Sequence, residues 1–275
     1  MYFETLQSIS LNGKIGVPND DRVGSSPDRA WVVDGATDLG EPGLLGNQGG
    51  AAWLATAASH GFAQATGADL RRSCTEMFDH VAARFDHDRT RAPVAAWELP
   101  KAAFAAVQLV GGQIECAWAA DCPILLRGQH GAVWGTGAPD TSTEVADAQA
   151  LGIGTGAAPE LSGAVLEDRR ARRMGTDHAA LNPNPVAAAR ITQYSQHPIA
   201  IGDEVLIMSD GFSSLVSDYG AYTAETLWQA VQDNGLAALA QEIREIERAD
   251  EACARFPRFK VSDDATAIWL RVARR

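Results

Sequence analysis

The chain is poor in the features that mark several specialised protein classes. It has four cysteines in 275 residues, Cys74, Cys116, Cys122 and Cys253, none in a C-x-x-C pair. That is no disulfide framework, and it suits the reducing cytoplasm, where we expect the protein to reside. No apolar run approaches the roughly 20 residues of a membrane helix. The opening "MYFETLQSIS" lacks a basic region followed by an apolar core, so no signal peptide is expected. Basic charge is scarce: 23 Lys and Arg against 35 Asp and Glu give a net charge of -12 and a pI of about 4.9. Such a chain repels phosphate backbones and anionic membranes, so neither is an expected partner. The densest basic run, "EDRRARRMG" at 167–175, reads as the solvated face of a helix.

Several catalytic signatures are missing too. The six histidines are scattered without H-E-x-x-H spacing, and no G-x-S-x-G elbow is present. "LGIGTGAAP" at 151–159 has no clear strand before it and no Gly-Lys-Ser/Thr, so it reads as a turn rather than a phosphate cradle. "VVDGATD" lacks the second Asp that a haloacid-dehalogenase nucleophile needs, because Ala36 stands in its place.

What is present is a chain of 46% hydrophobic residues, long enough for one large domain over 1–275 with no convincing linker. "MYFETLQSIS" and "NGKIGV" read as two strands joined at Asn12-Gly13. "RAWVVDGATD" reads as a third strand. An Ala-rich helix is expected over about 48–65, and a second in "ADLRRSCTEMFDHVAARFDH", where Leu70, Met77, Phe78, Val81 and Phe85 fall near helical spacing. Four short runs after Pro100 read as an antiparallel meander. Residues 139–195 hold Gly, Pro and Asn clusters and one helix around 161–174, and form a candidate flap or insertion. A strand at 204–209, helices at about 224–233 and 236–254 and a final strand "ATAIWLRV" follow. This order predicts an α+β fold with helices on mostly antiparallel sheets.

Acids sit at the strand ends. "GVPNDDRVG" carries Asp20 and Asp21 just after a strand, "WVVDGATD" carries Asp34, "LIMSDGF" carries Asp210, and "KVSDDATAIWL" carries Asp263 and Asp264 just before the last strand. Asp and Gly are common in turns, so each alone has an ordinary explanation. Carboxylates gathered at one sheet edge would repel unless a cation lay between them. Oxygen ligands without His or Cys suit Mg²⁺ or Mn²⁺.

These stretches, in this order, resemble the metal-dependent protein phosphatases, the PPM or type 2C family. "NDD" matches its early acidic pair, "VVDG" and "MSDG" its two Asp-Gly junctions, "DDAT" its final motif, and "AADCP" its middle Gly-Asp-Ser, giving Asp121. The resemblance spans almost the whole chain. It implies a four-layer α-β-β-α sandwich with two mostly antiparallel sheets and two metals at one edge. By position, Asp34 would bridge the metals and the Gly35 carbonyl would bind one. Asp210 and Asp263 would bind the other. Asp20 would reach it directly or through water, and Asp21 would orient a metal-bound water. Asp121 would help hold a third, looser ion. A hydroxide bridging the metals would then attack phosphorus in line.

The sequence departs from the family in places. Gly16 stands where many members have a phosphate-binding Arg, with Lys14 or Arg22 as candidate substitutes. Ala36 stands where eukaryotic members often have a His, and Asp20 where Glu is commoner. The expected activity is hydrolysis of phosphoserine or phosphothreonine on a protein, by a monomer using Mn²⁺ or Mg²⁺. The alternatives are a small-molecule phosphatase of the same fold, a catalytically weak regulator that binds a phosphoprotein or partner, and a carboxylate-rich metal hydrolase of another fold.

Overall fold

The computed structural model describes residues 1–47, 49–156, 163–175 and 179–274. Among the described residues, ten strands form two five-stranded antiparallel sheets. The first sheet runs β1 (Tyr2–Leu11), β10 (Ala265–Ala273), β9 (Glu204–Met208), β6 (Ile124–Gly128) and β7 (Gly131–Trp134). The second runs β2 (Arg22–Ser25), β3 (Arg29–Ala36), β4 (Lys101–Val110), β5 (Gln113–Ala119) and β8 (Gln193–Pro198). Helices α1 (Gly50–Gln64) and α2 (Leu70–Asp88) cover the second sheet. Helices α6 (Asp210–Ser217) and α7 (Ala224–Ala249) cover the first. The expected four-layer α+β sandwich is therefore present.

Strand alternation builds the three cores. In β3, Ala30 and Val32 face the opposing sheet, and Trp31 and Val33 face α1 and α2. The inter-sheet core adds Val107, Ile124, Ile207, Ile268 and Leu270, all buried. Each such aliphatic side chain contributes about 1.5–3 kcal/mol on leaving water. Helix α1 is built of small residues so that it can pack closely: a Cβ on Gly61 would lie 3.0 Å from Met77 Cα. Asp69 caps α2 by accepting from Arg72 N at 2.8 Å. The break expected between 233 and 236 falls at Gly235, whose φ of 77° interrupts α7.

Four expectations need correction. "NGKIGV" is not a strand: Ile15 is fully exposed, Val17 N bonds Lys14 O, and Gly13 N donates to Asp264 Oδ1. The loop is held by a side chain, and the next strand is β2, in the other sheet. The four runs after Pro100 form two hairpins, β4-β5 and β6-β7, one in each sheet. Helix α6 follows "LIMS" directly, where no helix was expected. The described residues of 139–195 hold three helices, α3 (Ser142–Ala150), α4 (Ala164–Met174) and α5 (Pro185–Ile191), and lead into β8. Gln48 and Leu161, at the starts of two expected helices, lie outside the described residues. Among the described residues, no helix is long and apolar enough to cross a membrane.

Candidate metal centre

The antiparallel registers bring the acids together. Asp21 immediately precedes β2, Asp34 lies near the end of β3, and Asp121 follows β5. Asp210 follows β9, and Asp263 and Asp264 precede β10. The pairings Val33 with Arg22, Ala119 with Phe104, and Met208 with Ala267 put all these ends at one edge of the sandwich. A cavity of about 230 Å³ there is lined by Asp34, Gly35, Asp121, Asp210 and Asp263.

The backbone at this edge is packed too tightly for side chains. A Cβ on Gly35 would meet Ala51 O at 2.7 Å and Asp20 O at 2.8 Å, and one on Gly211 would meet Asp264 O at 2.0 Å. This close approach accounts for the glycines after Asp34 and Asp210. Ser209 joins the two strands that carry Asp210 and Asp263: Thr266 N donates to its Oγ at 2.9 Å. Asp264 is a structural tie, accepting from Gly13 N at 2.7 Å and Asp20 N at 2.6 Å. Arg244 of α7 donates to Asp263 O at 2.7 Å.

The electrostatics are those of crowded acid groups. Asp21 is 2% exposed, and neither of its carboxylate oxygens has a hydrogen-bond partner. Burial, together with Asp263 and Asp264, pushes its carboxyl up to about 7; the nearby Thr266 and Ser209 hydroxyls pull the other way without closing a bond. Burial and Asp264 raise Asp20 to about 6. Burial and neighbouring acids, Asp210 for the one and Asp263 for the other, hold Asp34 and Asp210 well above the carboxylate range. Asp210 Oδ1 is buried without a partner. Burial, then Glu144, raise Asp121 to about 6. Its side chain still meets water, so it loses less hydration than the sealed Asp21.

Orphaned buried carboxylate oxygens in an all-oxygen donor set fit a hard divalent cation. As the side chains stand, however, no three acidic, His or Cys groups among the described residues close into a cage. Asp263 shows why: both its oxygens accept from Lys260 Nζ, at 2.7 and 2.8 Å. Burial works against the Lys260 ammonium, but Asp263, Asp210 and Asp34 outweigh it and raise its pKa. Lys260, which the sequence reading passed over, is the resident counter-charge of the cluster. Its only sequence signal is its place three residues before Asp263. Lys260→Met is expected to tighten Mn²⁺ binding several-fold, since a partly exposed ion pair worth up to about 1 kcal/mol no longer competes. Calorimetric titration measures this, and unchanged or weaker affinity would show that the lysine does not compete with the ion.

The two cations expected at the substrate phosphate lie elsewhere. Lys14 is exposed in the loop after β1. Arg22 donates to Asn19 O, Asp21 O and Thr56 Oγ1, so its guanidinium braces the acidic loop against α1. Neither lines the cavity. The basic run at 167–175 is a solvated face only in part: Arg172 is exposed and pairs with Asp147 and Asp168. Arg173 is 9% exposed and donates to Thr37 O, Arg170 donates to Leu39 O, and Arg169 stacks on Phe259 at 4.0 Å. Arg170 and Arg173 anchor α4 to the loop after Asp34. A polar run with a buried member has no distinct sequence signature.

A sandwich of two antiparallel sheets with helices on both outer faces defines the class of fold, and comparison with solved structures identifies which. The Mycobacterium tuberculosis serine/threonine phosphatase PstP/Ppp matches over 100% of both chains, with a TM-score of 0.59 at 16% identity. The PstP catalytic domain in complex with two manganese ions matches over 99% of both chains, with a TM-score of 0.57 at 18% identity. The PPM Ser-Thr phosphatase MsPP from Mycobacterium smegmatis matches over 98% of this chain and 99% of its own, with a TM-score of 0.54 at 16% identity. No protein-family model and no curated protein matches the chain. The chain has the fold of the PPM phosphatases.

Proposed function

We propose that the chain is a metal-dependent phosphatase acting on phosphoserine and phosphothreonine in proteins. The observation that carries this reading is the set of buried, unpartnered oxygens on Asp21 and Asp210 beside Asp34, at the edge where this fold exposes its cleft. Asp34 would be shared by two Mn²⁺ or Mg²⁺ ions. Asp210, Asp263 and Asp20 would complete one site, and the Gly35 carbonyl the other. Asp121 would serve a third, weaker ion. When bound, the ions supply Lewis acidity, activating water and neutralising phosphate oxygens.

The chain's own groups supply the rest. β3 and β9 are rigid supports that fix Asp34 and Asp210. Asp21, sealed on the protein side, orients water at the reaction centre. Asp263 becomes free to ligate once Lys260 swings away. With Ala36 at the end of β3, no imidazole is available there as a proton donor, so the leaving group takes its proton from water. The four cysteines are free and buried, which agrees with action in a reducing cytoplasm.

A specific observation favours a second reading. Lys260 already neutralises Asp263, and Gly16 provides no phosphate-binding side chain, as expected of a regulator that binds a phosphoprotein without turning it over. Hydrolysis of p-nitrophenyl phosphate and a phosphothreonine peptide separates the two. Phosphate release with Mn²⁺ or Mg²⁺ that chelator abolishes is the expected result. Tight metal binding without turnover would establish the regulator instead.

A further inference from the structure

Among the described residues, five cations line the cavity at the acid edge: Arg169, Arg172 and Arg173 of α4, Arg258 and Lys260. Four of them have partners that the metal reading leaves untouched. Arg169 pairs with Glu144 at 2.9 Å, Arg172 with Asp147 at 2.7 Å and Asp168 at 2.8 Å, and Arg258 with Asp250 at 2.7 Å. Arg173 donates to Thr37 O. Lys260 differs, because the carboxylate that takes its Nζ on both oxygens is Asp263, itself a proposed metal ligand.

An ion that takes Asp263 therefore displaces one cation, and does so inside the cavity. The Lys260 side chain is 40% exposed, so its ammonium is not sealed against Asp263. It rides on a flexible four-carbon stem and carries three donors. The backbone beneath that stem is anchored. Phe259, one residue before, is buried with Ala148 of α3, Val165 of α4 and Cys253. Cys253 Sγ donates to Lys260 O at 3.7 Å, and Arg244 holds Asp263 O three residues on. A fixed backbone with a movable tip keeps the ammonium within one side chain's length of the acids.

Charge decides where that tip goes. A phosphate monoester brings nearly two negative charges at neutral pH. Two divalent ions offset the charge of four carboxylates, and the cluster holds six: Asp20, Asp21, Asp34, Asp121, Asp210 and Asp263. The phosphoryl group thus needs a cation beyond the ions. Gly16 supplies none, and Lys14 and Arg22 do not line the cavity. We infer that Lys260 is the phosphate-binding side chain: loading of the metal site releases its ammonium from Asp263, and the ammonium then donates to a phosphoryl oxygen of the substrate. This rests on the phosphatase reading and assigns one of its substrate-binding residues. One side chain serves twice, as counter-charge to Asp263 in the metal-free chain and as counter-charge to the substrate in the loaded one.

The test uses the full chain and inorganic phosphate as probe, by calorimetry in saturating Mg²⁺ and again in chelator. In Mg²⁺, wild type is expected to bind phosphate, and Lys260→Met to bind it roughly tenfold or more weakly, the scale of one lost charge-assisted hydrogen bond. Lys260→Arg is expected to keep most of the affinity. In chelator the difference between wild type and Lys260→Met is expected to vanish, because Asp263 then holds the ammonium. Mg²⁺ affinity is expected to rise in Lys260→Met, so that one substitution moves the two affinities in opposite directions. A merely structural lysine would lower both. Circular dichroism checks folding, and Lys260→Gln replaces the Met variant if that one does not fold. Equal phosphate affinity in loaded wild type and Lys260→Met, no phosphate binding by loaded wild type, or a Mg²⁺ affinity that falls along with the phosphate affinity would overturn the assignment. Metal-dependent hydrolysis of p-nitrophenyl phosphate with a KM unmoved by Lys260→Met would sink it and leave the phosphatase reading standing. Phosphate binding weakened by Lys260→Met in the loaded chain, without hydrolysis under any metal, would uphold it and reject the enzyme.

Discussion

Asp34→Asn is expected to lower metal-dependent phosphate release by roughly a thousandfold or more, and to raise the melting temperature of the metal-free protein. Both effects follow from one position. Asp34 lies near the end of β3 on its inter-sheet face, within the electrostatic reach of Asp210. The amide keeps the shape but loses the charge and one ligating oxygen. Losing a preorganised electrostatic contribution of about 4 kcal/mol corresponds to about a thousandfold in rate. Burial, Asp210 and Asp21 hold the Asp34 carboxyl well above its ordinary range, so the charged form is disfavoured in the metal-free fold. The neutral amide removes that cost. Loss of activity through misfolding would instead lower the melting temperature. The two readouts, taken together in chelator and in Mn²⁺, distinguish these causes. Turnover close to wild type would show that the metal centre is misassigned.

Much of this site was legible in the sequence because it is local. An apolar strand, an acid and a glycine are three adjacent signals, and β3, β9 and β10 fell where they were expected. The glycines carried meaning because a Cβ at 35 or 211 collides with backbone. What stayed hidden depends on contacts far apart in the chain. "NGKIGV" looked like a hairpin partner because Asn-Gly favours turns, but Asp264, more than 240 residues away, takes the Gly13 amide. The runs after Pro100 share one period, and nothing local says that β5 and β6 belong to different sheets. The arginines of α4 have the composition of a solvated helix, and only tertiary packing turns Arg169, Arg170 and Arg173 inward while Arg172 stays exposed. Lys260 is one of several charged residues between Arg255 and Asp264, and its role comes from Asp263 three residues on.

The second large effect is a stability that depends on pH and metal together. In chelator, the melting temperature is expected to fall as pH rises from about 5 to 7.5. Asp20 is raised to about 6 and Asp21 to about 7, from an ordinary value of 3.8, with Asp34 and Asp210 higher still. Between the unfolded and folded values, the folded chain holds more protons than the unfolded one. Raised carboxyls therefore contribute stability that is fully present at low pH and lost as pH climbs through the folded values. Each such proton changes stability by about 1.4 kcal/mol per pH unit within that window. The acids paired with arginine, Glu98 and Asp250, have lowered values, so their contribution is already complete above pH 5 and does not offset the fall. A divalent ion reverses the trend because it binds the deprotonated carboxylates and displaces protons. At a hundred times its Kd it adds about 2.7 kcal/mol. The gap between melting curves in Mn²⁺ and in chelator is thus expected to widen steadily from pH 5 to 7.5, and to shrink in Asp34→Asn. A melting temperature in chelator that is flat or rising over that range would mean that the acids are solvated and apart. The converging metal centre would then fail on grounds independent of any activity assay.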